Sequence, residues 1–130
     1  MAVALEQAER VGWEGLRLHN VAAALDIPLA ELYRHYRDSD AIAEAWLTKA
    51  DNAMLGAQES GFAQLEPAQR IERIMLRWLD ALAPHRAVTR QMLLGKLYPG
   101  HPHLVAAVIV RLSRTVQWLR EAALLSAGPP

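Results

Sequence analysis

The chain has 130 residues and no cysteine, and its 14 lysines and arginines balance 14 aspartates and glutamates to a net charge of zero. Apolar residues at 52% against 22% charged exclude a disordered chain, and the lack of thiols excludes a disulfide framework, a thiolate metal site and a cysteine nucleophile. The longest apolar stretch, residues 104–110, is too short to span a bilayer, and Glu6 and Glu9 interrupt any N-terminal signal segment, so the sequence predicts a cytoplasmic protein with no membrane partner.

In chain order, Leu5, Ala8 and Val11 share one helical face, so residues 3–11 read as a helix, closed by Gly12 at a left-handed C′ position. Trp13 and Leu16 read as packing residues in the connection. Leu18, Val21, Ala22 and Leu25 then give a short helix one buried face. Asp26-Ile27-Pro28 breaks it, because Pro28 biases Ile27 away from the α region and donates no backbone hydrogen bond. Leu29, Leu32, Tyr33 and Tyr36 put an apolar and aromatic stripe on a second short helix. Two such helices around a tight turn form the helix-turn-helix pattern, whose second helix can enter a DNA major groove.

The run Gly12-Trp13, Leu18, Val21-Ala22, Ile27, Leu32-Tyr33, Tyr36 and Ala41-Ile42 resembles the N-terminal domain of TetR-type transcriptional regulators. The resemblance covers roughly the first third of the chain, and residues 31–42 (ELYRHYRDSDAI) are its most specific part. It implies an all-α fold of about seven helices, with a DNA-binding head over residues 1–46 and an effector-binding and dimerisation core over 47–130. It also implies that the chain begins about midway through the family's first helix and stops before two C-terminal helices that build the family's dimer interface.

By the same resemblance, Tyr33 touches a phosphate, and the early residues of the second helix face base edges. The DNA-facing set is then Arg17, His19, Asn20, Pro28, Leu29, Ala30, Glu31, Tyr33, Arg34, His35 and Arg37. Several positions depart from the family pattern. Arg17 stands where a capping Thr or Ser is usual, Asp26 replaces the turn glycine, Pro28 takes a small polar capping position, and Ser39 replaces a lysine near the DNA backbone. Glu31 favours its helix dipole but repels phosphate. The charge distribution also runs against DNA binding. Residues 1–50 hold five basic and eight acidic side chains (−3), and the remainder nine and six (+3), although phosphate neutralisation supplies most non-specific affinity.

Asp38 reads as the N-cap of a helix from about Ser39 to Glu59, with an apolar stripe through Ile42, Ala45-Trp46, Ala50, Ala53-Met54 and Ala57. Gly61 closes that segment, and residues 62–65 form a short connection. Pro67 opens the strongest amphipathic helix, with Ile71, Ile74-Met75, Trp78-Leu79 and Leu82 at three- and four-residue steps. Residues 83–85 break it. A further helix spans 85–98 and stops at Pro99-Gly100. The last runs from 103 to 126, with Leu104, Val108, Leu112, Val116 and Leu119 on one face and Val110 and Trp118 beyond it. A helix apolar on so much of its circumference belongs in the centre of the molecule or against a partner.

Trp46, Met54, Met75, Trp78, Leu79, Met92, Tyr98 and Trp118 are the candidate lining of a pocket for a small apolar effector, since methionine and aromatic side chains on neighbouring helices make adaptable cavities. The same residue types also fill cores. His101-Pro102-His103 with His85 lacks a carboxylate pair and reads as loop and helix-start histidines, so no metal or other cofactor is expected. Ser113 and Thr115 beside Arg111, Arg114 and Arg120 have no acid-base partner, and no phosphate loop, dinucleotide motif or zinc helix is present, so the sequence does not read as an enzyme. The sequence therefore points to a DNA-binding regulator, a ligand-responsive repressor acting as a homodimer on a double-stranded operator. The runner-up, which the acidic head favours, keeps the fold but holds a lipid or isoprenoid in place of DNA. A third reading, a helical protein-interaction module, rests on the last helix alone.

Overall fold

Helix α1 (Ala2–Val11) turns Ala4, Leu5 and Ala8 inward and ends at Gly12, whose φ of 82° suits only glycine. Its ψ of 157° is extended, so Gly12 swings the chain away from α1 instead of forming the expected left-handed cap. Trp13 and Leu16 are buried in the connection, as their size predicts. The computed structural model describes residues 1–96 and 102–124; Tyr98 and His101 lie outside the described residues. Among these residues it contains seven α-helices and no strand.

Helices α2 (Leu18–Ala24) and α3 (Leu29–His35) follow, then α4 (Ser39–Met54). The Asp38 carboxylate accepts the Ala41 N–H at 2.8 Å and caps α4. This helix ends five residues before the expected Glu59. Leu55 is its C-cap, and Arg77 reaches across from the next helix to donate to the Gly56 and Ala57 carbonyls at 3.2 and 2.8 Å, satisfying groups that a longer helix would have used itself. Gly61, at φ 84° and ψ 2°, opens a 3₁₀ turn at Phe62–Gln64. Helix α5 (Pro67–Leu82) begins at proline as expected, and the Gln69 side chain accepts the Glu66 N–H at 3.2 Å. A second 3₁₀ turn, Ala83–His85, leads into α6 (Arg86–Lys96), and α7 (Pro102–Ala122) completes the set.

The last helix stops short of residue 126. Leu124 adopts φ 59°, and Arg70 donates to the Ala123 carbonyl at 2.7 Å and to the Leu65 carbonyl at 2.5 Å. Its buried face is also rotated from the expected one. Val108, Arg111, Thr115 and Ala123 are inside, Leu112 and Leu119 are half-buried, and Val116 joins Ile109, Val110 and Trp118 on the exposed side. The rotation brings an arginine into the interior because two carboxylates there receive it.

One apolar cluster runs from Leu5 and Ala8 through Val21, Leu32, Ile42, Trp46 and Leu47 to Leu82, Val88 and Met92. A smaller one gathers Met54, Phe62, Ile74 and Ala123. The first joins α1 to α6 without interruption, so the N-terminal helices have no core of their own. Leu25 was expected among them but is 40% exposed. It is the C-cap of α2, where the chain begins to turn, and Ile27 packs against the cluster in its place.

Candidate nucleic-acid interface

The turn between α2 and α3 is a Schellman motif. The Ile27 N–H reaches the Ala22 carbonyl and the Asp26 N–H the Ala23 carbonyl, both at 3.1 Å. Asp26 sits at its left-handed position with φ 55°, tolerated because a short polar side chain suffers less there than a branched one. The motif aims the chain into α3. Pro28, with φ −63° and ψ 147°, stands just outside α3 as its N-cap rather than in its first turn, and its carbonyl takes the Glu31 and Leu32 N–H groups.

Within α3 the helical period separates one inward residue from an outward face. Leu32 is buried and Tyr36 packs half-buried against the core, whereas Leu29, Ala30, Tyr33, Arg34 and His35 are exposed, Tyr33 by 63%. Glu31 is half-buried. Arg34 and Arg37 make no hydrogen bond or ion pair among the described residues. The N-cap of α2, Arg17, has no capping acceptor. Its guanidinium instead turns back to the Glu14 and Leu16 carbonyls at 3.1 and 3.0 Å.

The start of α2 and the outer side of α3 enclose a largely apolar cleft of about 420 Å³. It brings together Arg17, His19, Leu29, Tyr33 and Arg37. Asn20 lies exposed on α2 with its carbonyl held by the Gln7 side chain at 3.0 Å, while Pro28, Ala30, Arg34 and His35 are exposed beyond the cleft. Of the eight acidic residues behind the −3 balance, four have neighbours elsewhere in the chain. Glu9 meets His85, Glu14 lies over Gly95, Asp38 caps α4, and Glu44 pairs with Arg111.

The described residues expected to line an effector pocket are distributed between the two apolar clusters and the surface. Trp46 and Met92 are buried in the larger cluster, and Trp46 donates its indole N–H to Thr89 Oγ1 at 2.7 Å. Met54 belongs to the smaller cluster, with Trp78 half-buried between the two and donating to Asp51 at 2.9 Å. Met75, Leu79 and Trp118 are exposed. Sequence reasoning missed the polar groups at the centre of the core. Arg111 NH1 reaches Asp51 at 2.8 Å and Thr115 at 2.7 Å. The only sequence signal was an arginine one turn after the apolar Ala107 and Val108.

The fold is similar to that of the TetR transcriptional regulator from Nitrosomonas europaea ATCC 19718, with a TM-score of 0.85 and 43% sequence identity over 94% of this chain and 70% of that one. The chain belongs to the TetR family of transcriptional regulators. No protein-family model and no curated protein matches it. Helices α2 and α3 with the tight turn between them have the arrangement that the run from Gly12 to Ile42 suggested. Among the described residues no helix is long and apolar enough to cross a membrane.

Proposed function

We propose that this TetR-family chain is a ligand-responsive repressor that reads an operator with α3 and works as a homodimer. The observation that carries the reading is the outward face of α3, where Leu29, Tyr33 and Arg34 are exposed and Arg34 and Arg37 have no partner among the described residues. Large side chains left uncovered on a seven-residue helix, beside unpaired guanidinium groups, suit a surface that meets phosphate and base edges. The acidic balance of the N-terminal half argues less strongly against this than its sum implies, because the Glu9 and Glu44 carboxylates meet His85 and Arg111. In a dimer, two such helices would lie about one turn of DNA apart or a multiple of it.

The test is a salt-titrated binding measurement on the DNA upstream of the chain's own gene. A regulator binds that segment in preference to random DNA, with log affinity falling linearly as log salt rises. Absence of binding even at low salt removes the repressor reading and leaves the lipid-holding relative, to be sought as an apolar molecule co-purifying with the protein.

A further inference from the structure

The guanidinium of Arg111 is held on two sides that differ in kind. Inside, NH1 meets Asp51 Oδ2 at 2.8 Å and Thr115 Oγ1 at 2.7 Å, and Asp51 is itself fixed by the Trp78 indole. Outside, Nε faces Glu44 Oε1 at 2.8 Å, and NH2 of Arg114 approaches the same oxygen at 3.9 Å. The Asp51 side chain is 17% exposed and that of Glu44 47%. The inner contacts form a mount that stays; the outer pair joins the same largely buried guanidinium to a carboxylate that solvent reaches. Beside Glu44, between α4, α6 and α7, opens a cleft of about 180 Å³ whose apolar wall is Ala43, Leu47, Met92 and Val108. Arg111 and Arg114 stand at its polar end.

We propose that this cleft binds a small monocarboxylic acid with a short apolar body, whose carboxylate takes the place of Glu44 on Arg111 and Arg114. The proposal names the effector class of the ligand-responsive regulator argued above; binding stands on the geometry, and only its effect on DNA rests on that reading. Exchange of one carboxylate for another keeps the buried guanidinium neutralised throughout, whereas a neutral ligand would strip Arg111 of a charged partner without replacing it. A cationic ligand would face two arginines. The volume fits one ring or a branched chain of a few carbons and falls below the usual range for larger effectors, roughly 300–1,000 Å³. Glu44 lies on α4 two turns from the Asp38 cap, so its release removes the one of the two α4 ties to Arg111 that is nearer the helix-turn-helix and leaves the Asp51 tie in place.

Calorimetry on the intact chain with benzoate and 3-methylbutanoate, and with benzamide as the uncharged control, tests the site. At least one acid should bind saturably and the amide about tenfold more weakly or worse, the difference between a charge-assisted and a neutral hydrogen bond. Glu44→Gln should bind the acid about three- to tenfold more tightly, because the internal competitor has lost its charge, and Arg114→Ala should bind it more weakly. Arg114→Ala, at an exposed side chain, should melt like the parent, whereas Glu44→Gln takes one charged partner from a guanidinium that Asp51 still neutralises and should lower the midpoint only modestly. A purely structural role for Glu44 predicts no gain in affinity. Failure of both acids to saturate at millimolar concentration, equal binding of benzamide, or no tightening in Glu44→Gln overturns the proposal. Acid binding by a chain that binds no operator, or whose operator affinity ignores the acid, supports the site and counts against the repressor reading alone.

Discussion

The Glu9 carboxylate lies 2.6 Å from Nδ1 of His85, joining α1 to the turn that precedes α6. The imidazole stands edge-on to the buried Trp46 ring, with centroids 5.2 Å apart and planes at 72°. Beside it, Gln91 accepts the Trp13 N–H at 2.7 Å, so two polar contacts pin the N-terminal segment to α6. The ring packing should outweigh the ion pair. His85→Ala is expected to destabilise the fold by roughly 1–3 kcal/mol through lost aromatic contact and burial. Glu9→Ala removes a half-exposed partner and should cost less than about 1 kcal/mol. Urea titrations of the two variants check the order.

Leu32→Ala should destabilise the chain by roughly 2–5 kcal/mol, since its side chain is buried and its loss leaves a cavity beneath α3. Because Leu32 packs in the cluster that reaches α6, the unfolding transition should shift as a single step. A separate early transition of the N-terminal helices would contradict the shared core.

Asp26→Gly should stabilise the chain by about 0.5–1 kcal/mol, as glycine accepts the left-handed φ of 55° without a side-chain clash. The Schellman hydrogen bonds remain intact, so a rise in the thermal midpoint with unchanged far-UV circular dichroism is the expected result.

Gly95→Ala should stabilise by a similar amount, about 0.5–1 kcal/mol, the usual difference within a helix. Among the described residues the new Cβ meets only the Glu14 carboxylate, at 3.0 Å, and that is the movable end of an exposed side chain. A fall in the midpoint would mean that Glu14 cannot yield.

On the DNA side, Arg34→Ala should weaken operator binding and, for a phosphate contact, lower the magnitude of the salt slope by about one unit. Glu31→Lys should strengthen non-specific binding, because it replaces a repulsion with a counterion-releasing contact. Fluorescence anisotropy at several salt concentrations measures both, and a Glu31→Lys chain with parental non-specific affinity would place that residue away from the backbone.

Much of this could be read from spacing alone. Leu32, Val21, Trp13 and Leu16 sit where a local period and a large apolar side chain leave no other place, and Asp38 and Pro67 announce helix starts through chemistry confined to a few residues. Leu25 fitted the same period, but the Schellman turn ends the helix at that residue and turns its side chain out. Arg111 could not be placed from its neighbours because its receiving carboxylates, Glu44 and Asp51, lie on α4, far away in sequence. Met75, Leu79 and Trp118 show the complementary limit: a period identifies an apolar face but does not say whether the chain covers it. The DNA-facing set comes from the family pattern and not from spacing, and a charge sum carries no information on where each carboxylate points.

The continuous cluster from Leu5 to Met92 also bears on how such a chain can be recombined. A cut between residues 46 and 47 separates roles but not cores, and it strands Trp46 from Thr89 and Glu9 from His85. A hybrid that borrows this head for another family member's core must carry the matching face of α6 with it. A change on one side of the seam between head and α6 therefore calls for a matching change on the other.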